Sequence, residues 1–155
     1  MIEQSIAILK MAQVGPDEVI PASRGQILAS LPPGVWNIAW VRDGSYSLMA
    51  MSALGMFTEA RRGLEFLLTA PSNHYKNFRH TDGKEYGIGV DYQISVCRYF
   101  GNGTEESDYN ADGPNIEIDG FGLVLSAVAK YVHESHDTSF VRHYLPVLTQ
   151  RVADP

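Results

Sequence analysis

The run from Asp43 to Leu68, DGSYSLMAMSALGMFTEARRGLEFLL, constrains the fold more than any other part of the chain. Its first half sets Tyr46, Leu48, Met49, Met51, Ala53 and Leu54 on nearly every face of a helix, a pattern expected only where the helix is largely buried. Gly55 then supplies the left-handed residue that helix C-termini favour. Thr58 and Glu59 read as the cap and first turn of a second helix, whose apolar line is Ala60, Leu64, Leu67 and Leu68. Two helices joined by two or three residues run antiparallel, so this stretch is predicted to be an apolar helical hairpin.

The flanking sequence extends the helical pattern. Ile2, Ile6 and Leu9 recur at helical spacing, which predicts an amphipathic helix over residues 2–13, stopped by Gly15-Pro16. Val19 to Gly34 carries Pro21, Gly25, Pro32, Pro33 and Gly34 and reads as an irregular crossing, with a short extended piece near Val19-Ile20. Residues 71–90, rich in Asn, His, Gly and Tyr, read as a long surface segment with a small hairpin around Asp82-Gly83. Val90 to Phe100 is predicted to be a helix, Gly101 to Pro114 a polar loop, and Ile118 to His133 a further helix bearing Phe121, Val124, Leu125, Val128 and Tyr131. Asp137 is placed to cap a last helix running to about Val152, with Pro146 as a potential kink. No strand set emerges, so the expected class is all-α, with about six helices.

Charge narrows the partners. With 12 basic and 18 acidic residues the formal charge is -6, which argues against nucleic acid or an anionic membrane and suits a neutral ligand. The 155 residues, 45% of them hydrophobic, suffice for one packed domain or a piece of one. The single cysteine, Cys97, excludes an internal disulfide and reads as a small buried hydrophobe, so the compartment leans reducing. The opening MIEQSIAILKMAQ lacks the basic and long apolar regions of a signal peptide and is too short to span a membrane. Asn102-Gly103-Thr104 fits a glycosylation sequon, but nothing else implies secretion, and a cytoplasmic location is favoured.

Two polar constellations carry chemistry. Arg42 and Asp43 open the buried helix, and both tryptophans, Trp36 and Trp40, come just before them. Aromatic faces cover the apolar faces of a pyranose while a carboxylate and a guanidinium grip its hydroxyls, so the group reads as a sugar pocket. The plainer alternative is a capping Asp beside a solvated Arg, with the tryptophans packed into the core. The second constellation is Asp108, Asn110, Asp112, Glu117 and Asp119. DYNADGPNIEID resembles a calcium loop with Asp119 at its twelfth position, although Glu is usual there, Asn115 stands where an aliphatic residue is normal, and Pro114 stiffens the seventh place. The alternative is a loop whose acidic end, Glu117 and Asp119, starts a helix and points into a pocket. The five histidines show no zinc spacing, and His133 and His136 suit the C-terminal end of a helix. No serine nucleophile elbow, phosphate loop or dinucleotide fingerprint is present, and no cofactor is implied.

The block AWVRDGSYSLMAMSALGMFTEARRGLEFLL resembles the first conserved block of glycoside hydrolase family 15, the glucoamylases and their bacterial relatives. A second block, IEIDGFGLVLSAVAKYV, is similar to that family's Gln-x-Asp-Gly helix start, and Ile20 to Ser23 resembles its Ile-x-Ala-Ser. The resemblance implies the N-terminal half of a catalytic domain, a partial (α/α)6 barrel with about six of the twelve helices, over residues 1–155. It also implies that Trp40, Arg42 and Asp43 line the subsite for the non-reducing glucose, with Trp36 in the place of an aromatic that is usually tyrosine. Asp119 matches the family's aspartate, and Glu117 stands where glutamine is usual. Family members hydrolyse terminal α-linked glucose with inversion, one glutamic acid protonating the glycosidic oxygen and a second activating water. Both glutamates are expected beyond Pro155, so the chain is expected to bind an α-glucoside, to hold no catalytic residue and to self-associate through exposed apolar surface. The other expectations are a non-catalytic carbohydrate-binding or regulatory module and a calcium-binding helical protein.

Overall fold

The computed structural model describes residues 2–31 and 33–155; Met1, and Pro32 of the predicted irregular crossing, lie outside the described residues. The described residues form five α-helices and two small sheets. Helix α1 spans Ile2–Ala12, α2 Val41–Ala53, α3 Phe57–Thr69, α4 Asp119–Ser135 and α5 Thr138–Val147. No helix among these residues is long and apolar enough to cross a membrane.

The buried helix behaves as its sequence dictates. α2 packs chiefly against α4, with α3 beside both and α5 behind α4. Leu48, Met51, Leu64 and Val124 are almost wholly removed from solvent, each contributing roughly 1.5–3 kcal/mol of burial. Gly55 takes φ 73° just after α2, the left-handed turn that redirects the chain into α3. Thr58 is not the cap: Met56 holds that position without a side-chain cap hydrogen bond, and Thr58 lies inside the first turn. Asp137 does cap α5, accepting from Phe140 N at 3.1 Å. Pro146 lies in the last turn of α5, and the chain continues as a π-helical turn over Leu148–Ala153. A proline cannot donate the α-helical hydrogen bond, which explains the change of winding there.

The fourth helix expected over Val90 to Phe100 is absent. Ile94 adopts φ 86°, which no α-helix tolerates. Local side chains satisfy the amides a helix would have used: Tyr99 Oη accepts from Ser95 N at 2.7 Å, Ser95 Oγ from Cys97 N at 3.1 Å, and Glu105 Oε1 from Val96 N at 3.0 Å. The segment ends in strand β2 (Arg98–Tyr99), which pairs antiparallel with β1 (Ala39–Trp40) on one side and β3 (Glu105–Glu106) on the other. A tight hairpin, β4 (Tyr109–Asn110) with β5 (Gly113–Pro114), completes what reads in sequence as a strandless loop. The chain is therefore mostly helical with small sheets, one α-helix short of the expected six among the described residues. Runs of two residues carry no periodicity, so such strands leave no pattern to read. The expected turn at Asp82-Gly83 is present, closed by an Arg79–Glu85 bridge with Gly83 at φ 85°.

Candidate sugar-binding site

The three-stranded sheet joins the two constellations. Its register places Trp40 opposite Arg98 and Arg98 opposite Glu106, so these three share a face, while Ala39, Tyr99 and Glu105 occupy the buried face. Two consecutive carbonyls at the end of the 90s segment then fix both halves of the site. Cys97 O accepts from Val41 N at 3.1 Å, which anchors the start of α2, and Val96 O accepts from Glu117 N at 2.7 Å, which anchors the approach to α4. Gly120 lets the two helix starts meet closely, since a Cβ there would lie 3.0 Å from Val41 Cγ1.

Arg42 is the centre of the arrangement. Its Nε donates to Asp119 Oδ2 at 2.9 Å and its Nη2 to Asp119 Oδ1 at 3.0 Å, a bidentate fork, with Glu117 Oε2 3.3 Å from Nη2. Glu117 is steadied in turn by Asn115 Nδ2, which donates to its Oε1 at 2.7 Å. The hydrogen bond to Asp119 keeps the Arg42 guanidinium protonated even more firmly than usual, and the same bond holds the Asp119 carboxyl below the ordinary carboxylate range. Arg42 and Asp119 are both about half exposed, so the pair orients the site more than it stabilises the fold.

Asp43 is placed differently. It sits in the first turn of α2, where the helix dipole favours a carboxylate, but among the described residues it accepts no hydrogen bond and pairs with no cation within 4 Å. With Arg42 it lines a cavity of about 310 Å³ bounded by Leu28, Ala29, Tyr46 and Ser47. Trp40 is half buried beneath Arg98, whose guanidinium carbon lies 4.8 Å from the ring centroid, and Trp36 meets it edge-on at 5.3 Å. Arg98 is itself paired with Glu106 and lies 4.0 Å from Asp108.

The structure thus brings Arg42, Glu117 and Asp119 into direct contact, sets Asp43 beside Arg42 on a cavity, and pairs Trp36 with Trp40. Sequence reasoning missed Arg98, Asn115, Tyr46 and Ser47. Arg98 and Asn115 carry no local signal, because sheet pairing and a loop bond recruit them. Tyr46 and Ser47 did carry one, since they follow Arg42 and Asp43 at helical spacing and share their face.

The calcium-loop residues are dispersed among other partners. Asp119 is taken by Arg42, and Asp108 accepts from Cys97 Sγ at 3.3 Å. No group of three or more His, Cys, Asp or Glu among the described residues is placed to hold a metal ion. Cys97 is buried, as expected, and burial pushes its thiol up to about 12, which leaves it unreactive at neutral pH. His136 closes α4 in a left-handed conformation with φ 59°, the terminal position its spacing suggested. No family model, curated protein or solved structure matches the chain.

Proposed function

We propose that this chain carries the sugar-recognising part of a glucoamylase-like, family 15 glycoside hydrolase domain, built on an (α/α)6 barrel and acting on terminal α-linked glucose. The observation that supports the reading is the bidentate Arg42–Asp119 pair, which spans 77 positions and joins the two blocks on which the family resemblance rests. That resemblance implies one pocket for both blocks, and a guanidinium locked in place by two carboxylates is a preorganised donor for hydroxyl groups. Three carboxyls, on Asp43, Glu117 and Asp119, face one guanidinium, which favours a neutral sugar over a uronate or a sugar phosphate. Glucose, maltose and glucuronate titrated calorimetrically against the chain test the reading. Maltose is expected to bind, glucuronate not, and Asp43→Ala to weaken maltose binding; equal binding by wild type and variant removes Asp43 from the pocket.

The same reading carries the self-association expectation. An apolar groove of about 410 Å³, lined by Ile88, Val96, Ile116, Ile118, Phe121 and Val152, lies open beside the acidic end of the site. In an (α/α)6 barrel such a face meets further helices, and in this chain alone it favours dimers or larger oligomers. Light scattering that finds a monomer across a wide concentration range would count against the barrel.

A further inference from the structure

Tyr46, not Trp40, is the aromatic residue that lines the cavity beside Asp43. Tyr46 is 59% exposed, and its ring stacks on no other ring among the described residues. It lines the cavity of about 310 Å³ together with Arg42, Asp43 and Ser47, all within the first two turns of α2. Positions three and four apart lie on one helix face, so Asp43, Tyr46 and Ser47 form a strip with an acceptor, a ring and a hydroxyl in order. The rest of the lining is Leu28-Ala29, whose backbone is held on both residues: Leu28 N donates to Ala12 O at 2.9 Å and Ala29 N to Ile38 O at 3.0 Å. Trp40 is engaged already, with Arg98 over its ring and the edge of Trp36 against it.

We infer that Tyr46 is the stacking platform of the sugar site, and that Trp40 and Arg98 form a supporting layer that fixes the start of α2. The inference rests on the sugar-binding reading above and adds to it the residue that selects a ring-shaped neutral ligand over a linear polyol. A pyranose laid on Tyr46 would receive a hydrogen bond from Arg42 Nη1, which takes no part in the bonds to Asp119 and Glu117, and would donate a hydroxyl to Asp43. A cavity of this size lies at the small end of ligand sites and suits one sugar ring.

Maltose titration followed by NMR tests the platform on the intact chain. The Tyr46 ring signals are expected to shift most, Tyr46→Ala to weaken maltose about three- to tenfold, and Tyr46→Phe to bind within about twofold of wild type. Because Tyr46 is exposed, Tyr46→Ala is expected to melt as wild type does, and the ring-signal shifts of the wild type decide the matter even if that variant folds poorly. Loss of binding in Asp43→Asn with none in Tyr46→Ala, or shifts confined to the tryptophan indoles, overturns the platform and leaves the sugar pocket standing. Absence of maltose binding by the wild type removes both.

Discussion

The helical frame and the segment from Ala70 to Ile118 are held together by different forces. In the frame, α2, α3 and α4 bury aliphatic side chains against one another, and stability comes from apolar area and close packing. In the segment, regular structure is sparse, and although Tyr75, Tyr92, Ile94, Val96 and Tyr99 are buried in the same apolar core, polar groups fix the course of the backbone. Glu105, on the inner face of β3, accepts from Tyr92 Oη, from His74 N at 2.9 Å and from Val96 N at 3.0 Å. Gln93 Nε2 donates to Ala70 O at 2.8 Å, and Asn73 Oδ1 accepts from Tyr92 N at 3.0 Å. The frame is expected to tolerate substitution by similar volume, and the segment to depend more on individual hydrogen-bonding atoms. The candidate site lies where they meet, with α2 supplying Arg42 and Asp43 and the segment supplying Glu117, the Val96 carbonyl that holds it and the Cys97 carbonyl that anchors the start of α2.

The largest expected effect tests the polar half of this contrast. Glu105→Ala strands two buried donors, Tyr92 Oη and Val96 N, and the part-buried His74 N, and is expected to cost roughly 3–4 kcal/mol in urea denaturation. A loss below that of a core leucine would break the comparison. In the frame, Leu64→Ala opens a cavity at a fully buried position and is expected to cost about 3 kcal/mol, while Leu64→Met stays within about 1.5 kcal/mol.

Next in size is Asp137→Ala, which removes the α5 cap and is expected to cost about 1–2 kcal/mol. Hydrogen bonds from Ser139 and Tyr131, with Phe140 N and the charge of Arg61, lower the Asp137 carboxyl to about 2. A carboxyl lowered on folding contributes stability that is full above its unfolded value, near 3.9, and is lost as pH falls through the folded one. Wild type is therefore expected to lose stability between about pH 4 and pH 2 in a limb that Asp137→Asn flattens, read from thermal melts across that range. The smallest effect is expected at the site itself. Asp119→Asn breaks an exposed pair and is expected to change stability by less than about 1 kcal/mol. Maltose affinity should fall far more than that small stability change implies, and a stability loss as large as that of Glu105→Ala would make the pair structural.

The two regions also differ in how far their sequences can be read. Asp43 to Leu68 announces two helices because apolar side chains must fall on the buried face, and the Gly55 break needs positive φ. Val90, Tyr92, Ile94 and Val96 alternate along the chain and are strand formers by type, so the helix expected over Val90 to Phe100 has no helical periodicity behind it; Tyr99 and Glu105, from later in the chain, hold the backbone in its irregular course. Among residues of the candidate site, Arg42, Asp43, Glu117 and Asp119 are the ones the sequence marks out, because charged groups at the ends of apolar helices are conspicuous. Arg98 was not, since its role depends on lying opposite Trp40 across a strand pair.

By itself, the sequence determined the helical frame, the burial of Cys97, the cap at Asp137 and the choice of Arg42 and Asp119 as residues of interest. Each follows from local periodicity, backbone geometry or the expense of exposing apolar area. Only the tertiary structure decided that Arg42 forks onto Asp119, that Asp43 has no hydrogen-bond partner among the described residues beside a cavity, and that Trp40 lies beneath Arg98 while Tyr46 stands open. Those outcomes depend on which distant groups compete for the same partner, and a competition between groups far apart in the chain has no local pattern to reveal it.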